Sequence, residues 1–231
     1  MTNIEIFKES FIKYEGYKDV LEGLKATIII AVLGLFIGII IGTIIATVKI
    51  IPKKNGITNV LSKIGDFYVW IFRGTPIVVQ LLLFYYVFLP LMHVRIPSMI
   101  VATCVFGLNS GAYVSEIMRS GIQSVDIGQL EGSRALGLPF TKSMIKVIIP
   151  QAIKNIIPTL GNEFITLLKD TSVVSFIAVM DITKAFQSIA GGNYEYIVPY
   201  CVLALFYLTL VSLVTLLVKL AERRLKQSDR K

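Results

Sequence analysis

The 231-residue chain is too apolar for an ordinary soluble domain, because 55% of its residues are hydrophobic, 16% are charged and its mean hydropathy is +0.73. Its formal net charge is +8, which in a soluble protein would suggest binding to nucleic acid. Cys104 and Cys201 lie in apolar runs without a CxxC or metal-binding pattern, so we expect each to be a small buried hydrophobe. The composition predicts an all-α membrane protein.

The basic residues are concentrated in three segments of the chain. Of the 23 lysines and arginines, 15 lie in 49–63, 119–154 and 219–231, and the positive-inside rule places these segments in the cytoplasm. This distribution predicts an external N-terminus and a cytoplasmic C-terminus. Residues 1–25 contain five acidic residues and no continuous apolar core, so we expect an external amphipathic segment and no cleavable signal peptide.

Five stretches are long enough to cross a hydrocarbon layer of ~30 Å. The predicted spans are about 26–48, 65–89, 98–120, 150–180 and 196–218, and a cytoplasmic tail follows at 219–231. In the first span Gly34, Gly38 and Gly42 recur at the GxxxG spacing. This spacing favours a close helix contact, either within the chain or with another chain.

Polar residues interrupt the second and third spans. Arg73-Gly74-Thr75-Pro76 should make the second helix irregular where it lines protein or water, with Arg73 facing either a path or the cytoplasmic headgroups. Asn109, Tyr113 and Glu116 share one face of the third helix at spacings of four and three. Glu116 has two open interpretations, a group facing a cavity or the partner of an ion pair with Arg119.

The fourth span carries more charge than a lipid-facing helix tolerates. Glu163, Lys169 and Asp170 fall within it, and Pro150 and Pro158 should interrupt the helix. We therefore expect a kinked element inside the protein. The following residues, 181–195, are expected to form an external loop before the last span.

The polar segment 126–146 lies between spans three and four. Asp126 and Gln129 have the spacing of a reciprocal N-terminal cap, which predicts a helix from Ile127 to Leu136. Gly137 is expected in the left-handed position after the helix. A helix this short is marginal in water and needs something to dock against.

Several motifs in a fixed order resemble a known family. Glu131, Arg134-Ala135-Leu136-Gly137 and Ile149-Pro150-Gln151-Ala152 resemble the EAA loop of the integral membrane subunits of ABC importers. Gly132 and Ser133 stand where that family usually carries two alanines. Further runs narrow the likeness to the polar amino acid uptake permeases, over roughly residues 20–225. These runs are Arg73-Gly74-Thr75-Pro76 with Gln80; Tyr113, Glu116-Ile117, Arg119 and Gly121-Ile122-Gln123-Ser124-Val125; Leu167-Leu168-Lys169-Asp170-Thr171-Ser172; and residues 220–225.

The resemblance implies a multi-pass permease subunit in the cytoplasmic (inner) membrane of a bacterial cell. Cytoplasmic ABC ATPase subunits would grip the short helix, a second permease chain, alike or different, would complete the path, and an extracytoplasmic solute-binding protein would deliver an amino acid. The residues expected to couple to the ATPase are Gln129, Glu131, Gly132, Ser133, Arg134, Ala135, Leu136 and Gly137.

The substrate path is expected to use polar residues of spans two, three and four: Arg73, Gln80, Asn109, Tyr113, Glu116, Glu163, Lys169 and Asp170. Three acids against two bases within these spans favour a basic amino acid. No P-loop, HExxH or cysteine–histidine cluster is present, so we expect no catalytic residue, metal site or cofactor in this chain and ATP hydrolysis on a separate partner. The rival interpretations are a stand-alone channel or secondary carrier, a membrane scaffold and a membrane enzyme.

Overall fold

The computed structural model describes residues 2–51 and 56–227 and consists of helices over those ranges. Residues 52–55 of the predicted first cytoplasmic loop and 228–231 of the tail lie outside the described residues. The α-helices are α1 (Asn3–Lys8), α2 (Gly16–Ile50), α3 (Gly56–Gly74), α4 (Ile77–Leu83), α5 (Leu89–Leu91), α6 (Ser98–Gln123), α7 (Ile127–Ala135), α8 (Phe140–Ser143), α9 (Ile149–Asp170), α10 (Ile182–Asn193) and α11 (Ile197–Gln227).

Three of these helices, α2, α6 and α11, are long and apolar enough to cross a membrane. The helices α3 and α4–α5 are long and apolar enough only when they are taken together as one span, which is bent by 104° between Gly74 and Ile77. The described helix α9 is not among the candidate spans. The chain is therefore a helical membrane protein with three or four candidate spans, and the five-span arrangement with its orientation stays a prediction.

The glycines of α2 bring this helix against α6. A β-carbon on Gly38 would lie 2.6 Å from Ser110 Oγ, and one on Gly42 would lie 2.7 Å from the backbone nitrogen of Ser115. The absence of side chains thus permits the two backbones to approach closely. The contact predicted from the glycine spacing is confirmed, and it lies within the chain.

Two prolines follow π-helical turns at the same distance. Phe84–Phe88 precedes Pro90 by two residues, and Met144–Ile148 precedes Pro150 in the same way. A proline ring clashes with the carbonyl four residues before it, and a widened turn relieves that clash. Pro158 lies inside the continuous helix α9, so the expectation that it interrupts the fourth span is wrong.

The segment 181–195, expected to be an external loop, contains the helix α10. Asp181 is fully buried, and its carboxylate accepts hydrogen bonds from the backbone N–H groups of Lys184 (2.8 Å) and Thr183 (3.1 Å). These bonds satisfy donors at the N-terminus of α10. The loop prediction is wrong because residues from Ile182 onward bury an apolar face.

The N-terminal segment packs on that apolar face. Phe7 and Phe11 contact a buried cluster that includes Ile182 and Phe186 of α10. The spacings of three and four between Ile4, Phe7, Phe11 and Tyr14 predict one apolar edge on this segment, but Ile4 and Tyr14 are exposed. The amphipathic segment is therefore helical as expected, in α1 and the π-helical turn Glu9–Lys13, but only part of its apolar edge is covered by the chain.

Both cysteines lie on outward faces. Cys104 on α6 and Cys201 on α11 are exposed, so the prediction that they are buried inside the chain is wrong. An outward apolar position in a membrane helix is compatible with the same small hydrophobic character.

Candidate functional site

The short helix α7 has well-formed caps at both ends. The Asp126 carboxylate accepts a hydrogen bond of 2.6 Å from the N–H of Gly128. Gly137 has φ +82°, and its N–H donates to the backbone carbonyl of Arg134. The N–H of Leu138 donates to the backbone carbonyl of Ser133. This pair of bonds is a Schellman motif. The predicted start and the left-handed glycine are confirmed, and the helix ends one residue before the predicted end.

The predicted reciprocal cap from Gln129 is wrong. Its side-chain oxygen instead accepts a long hydrogen bond of 3.4 Å from Gln151 Nε2 on α9. Beside it, Asn155 Nδ2 donates to Ser124 Oγ at the end of α6, at 2.8 Å. These two bonds attach the first turns of α9 to α7 and to the end of α6.

The residues predicted to couple to an ATPase lie mostly on the surface. All are exposed except Ser133. Leu136 has 85% of its surface exposed, and a β-carbon added at Gly132 or Gly137 would contact nothing within 4 Å. The helix therefore presents an apolar tip beside two uncovered glycines.

The bend between α3 and α4 leaves backbone carbonyls at the end of α3 without helical partners. The side-chain nitrogen of Gln80, a buried residue, donates to the carbonyls of Phe72 (2.9 Å) and Thr75 (3.0 Å). Asn109 Nδ2 donates to the Gln80 side-chain oxygen at 3.0 Å. Gln80, held by Asn109, thus supplies hydrogen bonds to the backbone carbonyls at the break from inside the protein, as irregular backbone in a membrane requires.

A polar cavity opens beside this break. Its volume is about 190 Å³, and it is lined by Thr75, Pro76, Ile77, Asn109, Tyr113, Glu163, Thr166, Leu167 and Asp170. Four of the eight predicted path residues, Asn109, Tyr113, Glu163 and Asp170, are therefore brought together. Glu163 Oε1 accepts a hydrogen bond of 3.0 Å from Ser110 Oγ.

Glu116 lies in a charge cluster and not in the cavity lining. Its carboxylate is 2.6 Å from Arg119 Nη2, 3.1 Å from Lys49 Nζ and 3.9 Å from Arg73 Nη1. Lys49 also pairs with Asp66 at 2.9 Å. The predicted ion pair between Glu116 and Arg119 is confirmed. The charge cluster around this pair includes residues of α2, α3 and α6.

Three further predicted path residues, Arg73, Gln80 and Lys169, do not line the cavity. Arg73 lies over the ring of Tyr113, with 5.3 Å between its guanidinium carbon and the ring centroid, and Gln80 supports the break behind the lining. Lys169 is exposed and does not line the cavity.

Sequence reasoning missed a polar stripe on α9. Its residues are exposed and recur at spacings of four, three, four and three: Asn155, Thr159, Asn162, Thr166 and Lys169. This spacing places them on one face of the helix, which the sequence alone could have shown. Thr166 belongs to the cavity lining as well, so the stripe borders the cavity.

A lipid-facing helix would not carry such a stripe, and buried ionisable groups inside a membrane mark solute or ion pathways. The fold and the site together define an integral membrane transport protein. Residues 34–227 match the family described as the binding-protein-dependent transport system inner membrane component. The chain belongs to this family.

Similar proteins are amino acid transport permeases by name. The arginine transport system permease protein ArtQ of Bacillus subtilis (strain 168) is 39% identical over 210 residues, which are 91% of this chain and 94% of that protein. The putative glutamine transport system permease protein GlnP of Rickettsia conorii is 34% identical over 222 residues and 96% of both chains. The L-cystine transport system permease protein TcyB of Bacillus subtilis (strain 168) is 40% identical over 71% of this chain and 70% of its own length.

Solved structures share the fold. A chain from the crystal structure of an amino acid ABC transporter with histidines superposes with a TM-score of 0.85 at 39% identity, over 93% of this chain and 97% of that chain. A chain of the inward-facing MetNI methionine ABC transporter gives a TM-score of 0.69 at 17% identity, over 90% of this chain and 95% of its own. The second likeness concerns the fold alone.

Proposed function

We propose that the chain is the permease subunit of an ATP-driven ABC importer for polar amino acids, with basic amino acids as the favoured class. Residues 26–218 form the permease domain of five spans in the cytoplasmic membrane, with the N-terminus outside and the C-terminus inside. The arginine, glutamine and cystine permeases that it resembles support the amino acid class.

The proposed substrate class rests on the cavity beside the bend between α3 and α4. Glu163 and Asp170 both line it, and over the described residues neither has a lysine or arginine nitrogen within 4.0 Å. Two carboxylates that form no ion pair at this distance can bind an ammonium or guanidinium group through charge-assisted hydrogen bonds. Exclusion of bulk water strengthens such contacts.

The size of the cavity supports a path shared by two permease chains. Its volume of about 190 Å³ is below the ~300–1,000 Å³ typical of small-molecule sites. The polar stripe of α9 borders the cavity and is exposed on one chain, so a second permease packed against it would complete the walls and shield the stripe from lipid.

Energy for uptake comes from separate cytoplasmic ATPase subunits that dock on α7. The exposed tip of this helix, Leu136, and the open space at Gly132 and Gly137 support this docking. The bond between Gln129 and Gln151 connects the docking helix to the cavity-lining helix. Closure of the ATPases would move the paired α7 helices and switch the path between inward-facing and outward-facing states, while a solute-binding protein delivers substrate outside.

The test is uptake by complexes in which the cavity acids lose their charge. Asp170→Asn and Glu163→Gln keep the size of each side chain, and we expect uptake to fall by about tenfold or more, as loss of one charged contact implies. Asn109→Ala, at another residue of the cavity lining, completes the panel. Glu22→Gln, the same change at an exposed site on α2, is the matched control and should transport normally.

Assembly of each variant is measured in parallel by purification with its ATPase and second permease. A contact with substrate predicts lost uptake in an assembled complex, whereas a tie between helices predicts poor assembly. Unchanged uptake across the whole panel would show that the substrate is not recognised in this cavity. Failure of any ATPase to purify with the chain would favour a stand-alone channel or carrier.

A further inference from the structure

A network of polar side chains begins one residue after the cavity acid Asp170. Thr171 and Asp181 are fully buried. Thr183 Oγ1 lies 3.1 Å from the hydroxyl oxygen of Tyr207 on α11, within hydrogen-bond distance. The Tyr207 hydroxyl also interacts with the side chains of Thr171 and Asp181. The network therefore connects the residue that follows α9 with the start of α10 and with α11.

The backbone changes its conformation at Asp170. The helix α9 ends at this residue, and a 3₁₀ helix follows from Thr171 to Ile177. Hydrogen bonds of a 3₁₀ helix have poorer geometry than those of an α-helix, so side-chain contacts have more influence on where residues at this change point. Thr171 Oγ1 donates to the carbonyl of Leu168 at 2.8 Å. This bond uses its one hydrogen and leaves its oxygen free to accept from Tyr207.

The carboxylate of Asp181 exceeds what the cap of α10 requires. Asparagine or serine caps a helix about as well as aspartate. In the part of the chain that the structure describes, Asp181 forms no ion pair within 4.0 Å. A buried charge is costly unless it is paired or hydrogen-bonded, so a carboxylate at this position needs a further role. Its interaction with the Tyr207 hydroxyl, a hydrogen-bond donor, provides one.

The helix α2 packs directly on the backbone at Asp181. A β-carbon on Gly23 would lie 2.5 Å from the carbonyl oxygen of Asp181, and Thr27 Oγ1 accepts a hydrogen bond of 3.5 Å from the N–H of Ile182. The backbone at Asp181 thus has no room to move toward α2. This packing gives the network a fixed end, from which Tyr207 reaches the residue next to Asp170.

We infer that Asp181 and Tyr207 are positioning residues for substrate recognition: Tyr207, oriented by Asp181 and Thr183, holds Thr171 and thereby directs the carboxylate of Asp170 into the cavity. This inference rests on the proposed substrate site. Neither Asp181 nor Tyr207 lines the cavity, so both act through Asp170.

The direction of the side chain at position 170 is tested without transport. The parent protein carries Cys104→Ser, Cys201→Ser and Asp170→Cys, and the rate of reaction at position 170 with a small cationic methanethiosulfonate is measured in the purified complex. Tyr207→Phe should lower this rate severalfold, because the side chain is no longer held toward the cavity. Tyr200→Phe, the same change at an exposed position of α11, is the matched control and should leave the rate unchanged.

Uptake tests the connection to Asp170. Tyr207→Phe and Asp181→Asn should each lower uptake roughly twofold to tenfold, the effect of one hydrogen bond, although Asp181→Asn keeps a capping residue on α10. Neither change should lower uptake further in the Asp170→Asn background, because coupled residues do not have additive effects. Thr183→Val should resemble Tyr207→Phe, whereas Thr183→Ser keeps the hydroxyl and should transport normally.

Two results would overturn the inference. One is an unchanged reaction rate at position 170 in Tyr207→Phe, and the other is an effect of Tyr207→Phe that adds fully to that of Asp170→Asn. Thr183→Val takes the place of Tyr207→Phe in both comparisons if Tyr207→Phe does not assemble.

The inference and the proposed function fail differently in these experiments. Lost uptake in Asp170→Asn, together with a reaction rate at position 170 that Tyr207→Phe does not alter, would refute the positioning and leave the substrate site standing. Normal uptake in Asp170→Asn, together with a lowered rate in Tyr207→Phe, would refute a substrate contact at Asp170 and leave the effect of Tyr207 on its direction standing.

Discussion

At the scale of single residues, some of the predicted path residues bond to other groups of the protein, whereas others line the cavity. The motif that contains Gln80 groups it with the path residues, yet its side chain is buried and donates hydrogen bonds to carbonyls at and just beyond the end of α3. Glu116 similarly lies among three cations. Sequence alone could not separate these residues from Glu163 and Asp170, because the distinction depends on which helix packs beside each side chain.

Gly137 is the residue at which we expect coupling to be most sensitive. With φ +82°, most L-residues there cost roughly 1–2 kcal/mol, aspartate and asparagine less than the others, and an aspartate would also place charge on the exposed surface of the docking helix. Gly137→Asp should therefore uncouple ATP hydrolysis from uptake while the protein remains inserted. The measurement is uptake and ATPase stimulation by the loaded binding protein in membrane vesicles.

Two variants serve as controls for that experiment. Gly137→Asn has a similar size without charge and tolerates the left-handed conformation, so it separates strain from charge. Gly191→Ala, which lies in α10 and not in the docking helix, adds a β-carbon that contacts nothing within 4 Å and should couple normally. Normal uptake with intact stimulation in Gly137→Asp would refute the coupling role of α7.

At the scale of elements, the packing of α2 on α6 is the contact that positions the cavity. Gly38 faces Ser110, and Ser110 donates a hydrogen bond to Glu163. A displacement of α6 at this point would therefore move a cavity acid as well. This arrangement links a structural glycine of the first helix to the proposed substrate site.

Gly38→Ala should destabilise this helix pair. The new β-carbon would lie 2.6 Å from Ser110 Oγ, and overpacking of this kind costs roughly 1–3 kcal/mol. We expect a lower midpoint of thermal unfolding in detergent, together with weaker uptake. Gly56→Ala, where nothing lies within 4 Å of an added β-carbon, should leave the midpoint unchanged, and an equal loss in both variants would contradict the packing argument.

Sequence patterns predicted the elements unevenly. Glycine spacing predicted a close helix contact on α2, though not that α6 would be its partner, and the cap residues predicted α7, because both are local signals with a direct physical meaning. The helix α10 was missed although Ile182, Phe186 and Ile189 have helical spacing, since the charged and glycine-rich surroundings indicated a loop. The run Arg73-Gly74-Thr75-Pro76 correctly predicted an irregular second helix, but not the size of the 104° bend, because hydrogen bonds from Gln80 and Asn109 to the carbonyls at the break belong to no local pattern.

At the scale of the whole molecule, the predicted orientation in the membrane rests on the distribution of basic residues alone. Of 23 basic residues, 15 lie in the three segments assigned to the cytoplasm, including the segment that contains α7. The cytoplasmic location of α7 is a requirement of the proposed function, so orientation and function are tested together.

Labelling of single cysteines checks this orientation. The parent protein for this experiment carries Cys104→Ser and Cys201→Ser. Lys8→Cys should react with a membrane-impermeant maleimide added to intact cells, whereas Arg224→Cys should react only after the membrane is opened. Both positions are exposed in the structure. Reaction of position 224 in intact cells would invert the topology and place α7 outside, where no cytoplasmic ATPase could reach it.

The helix α9 touches the docking helix at one end and lines the cavity at the other. Its 22 residues make a rod about 33 Å long at ~1.5 Å per residue. A rod of this length that tilts by about 5° about one end moves the other end by about 3 Å, roughly twice the rise of one helical residue. A tilt of this size, if transmitted through the bond between Gln129 and Gln151, would change the width of the cavity of about 190 Å³.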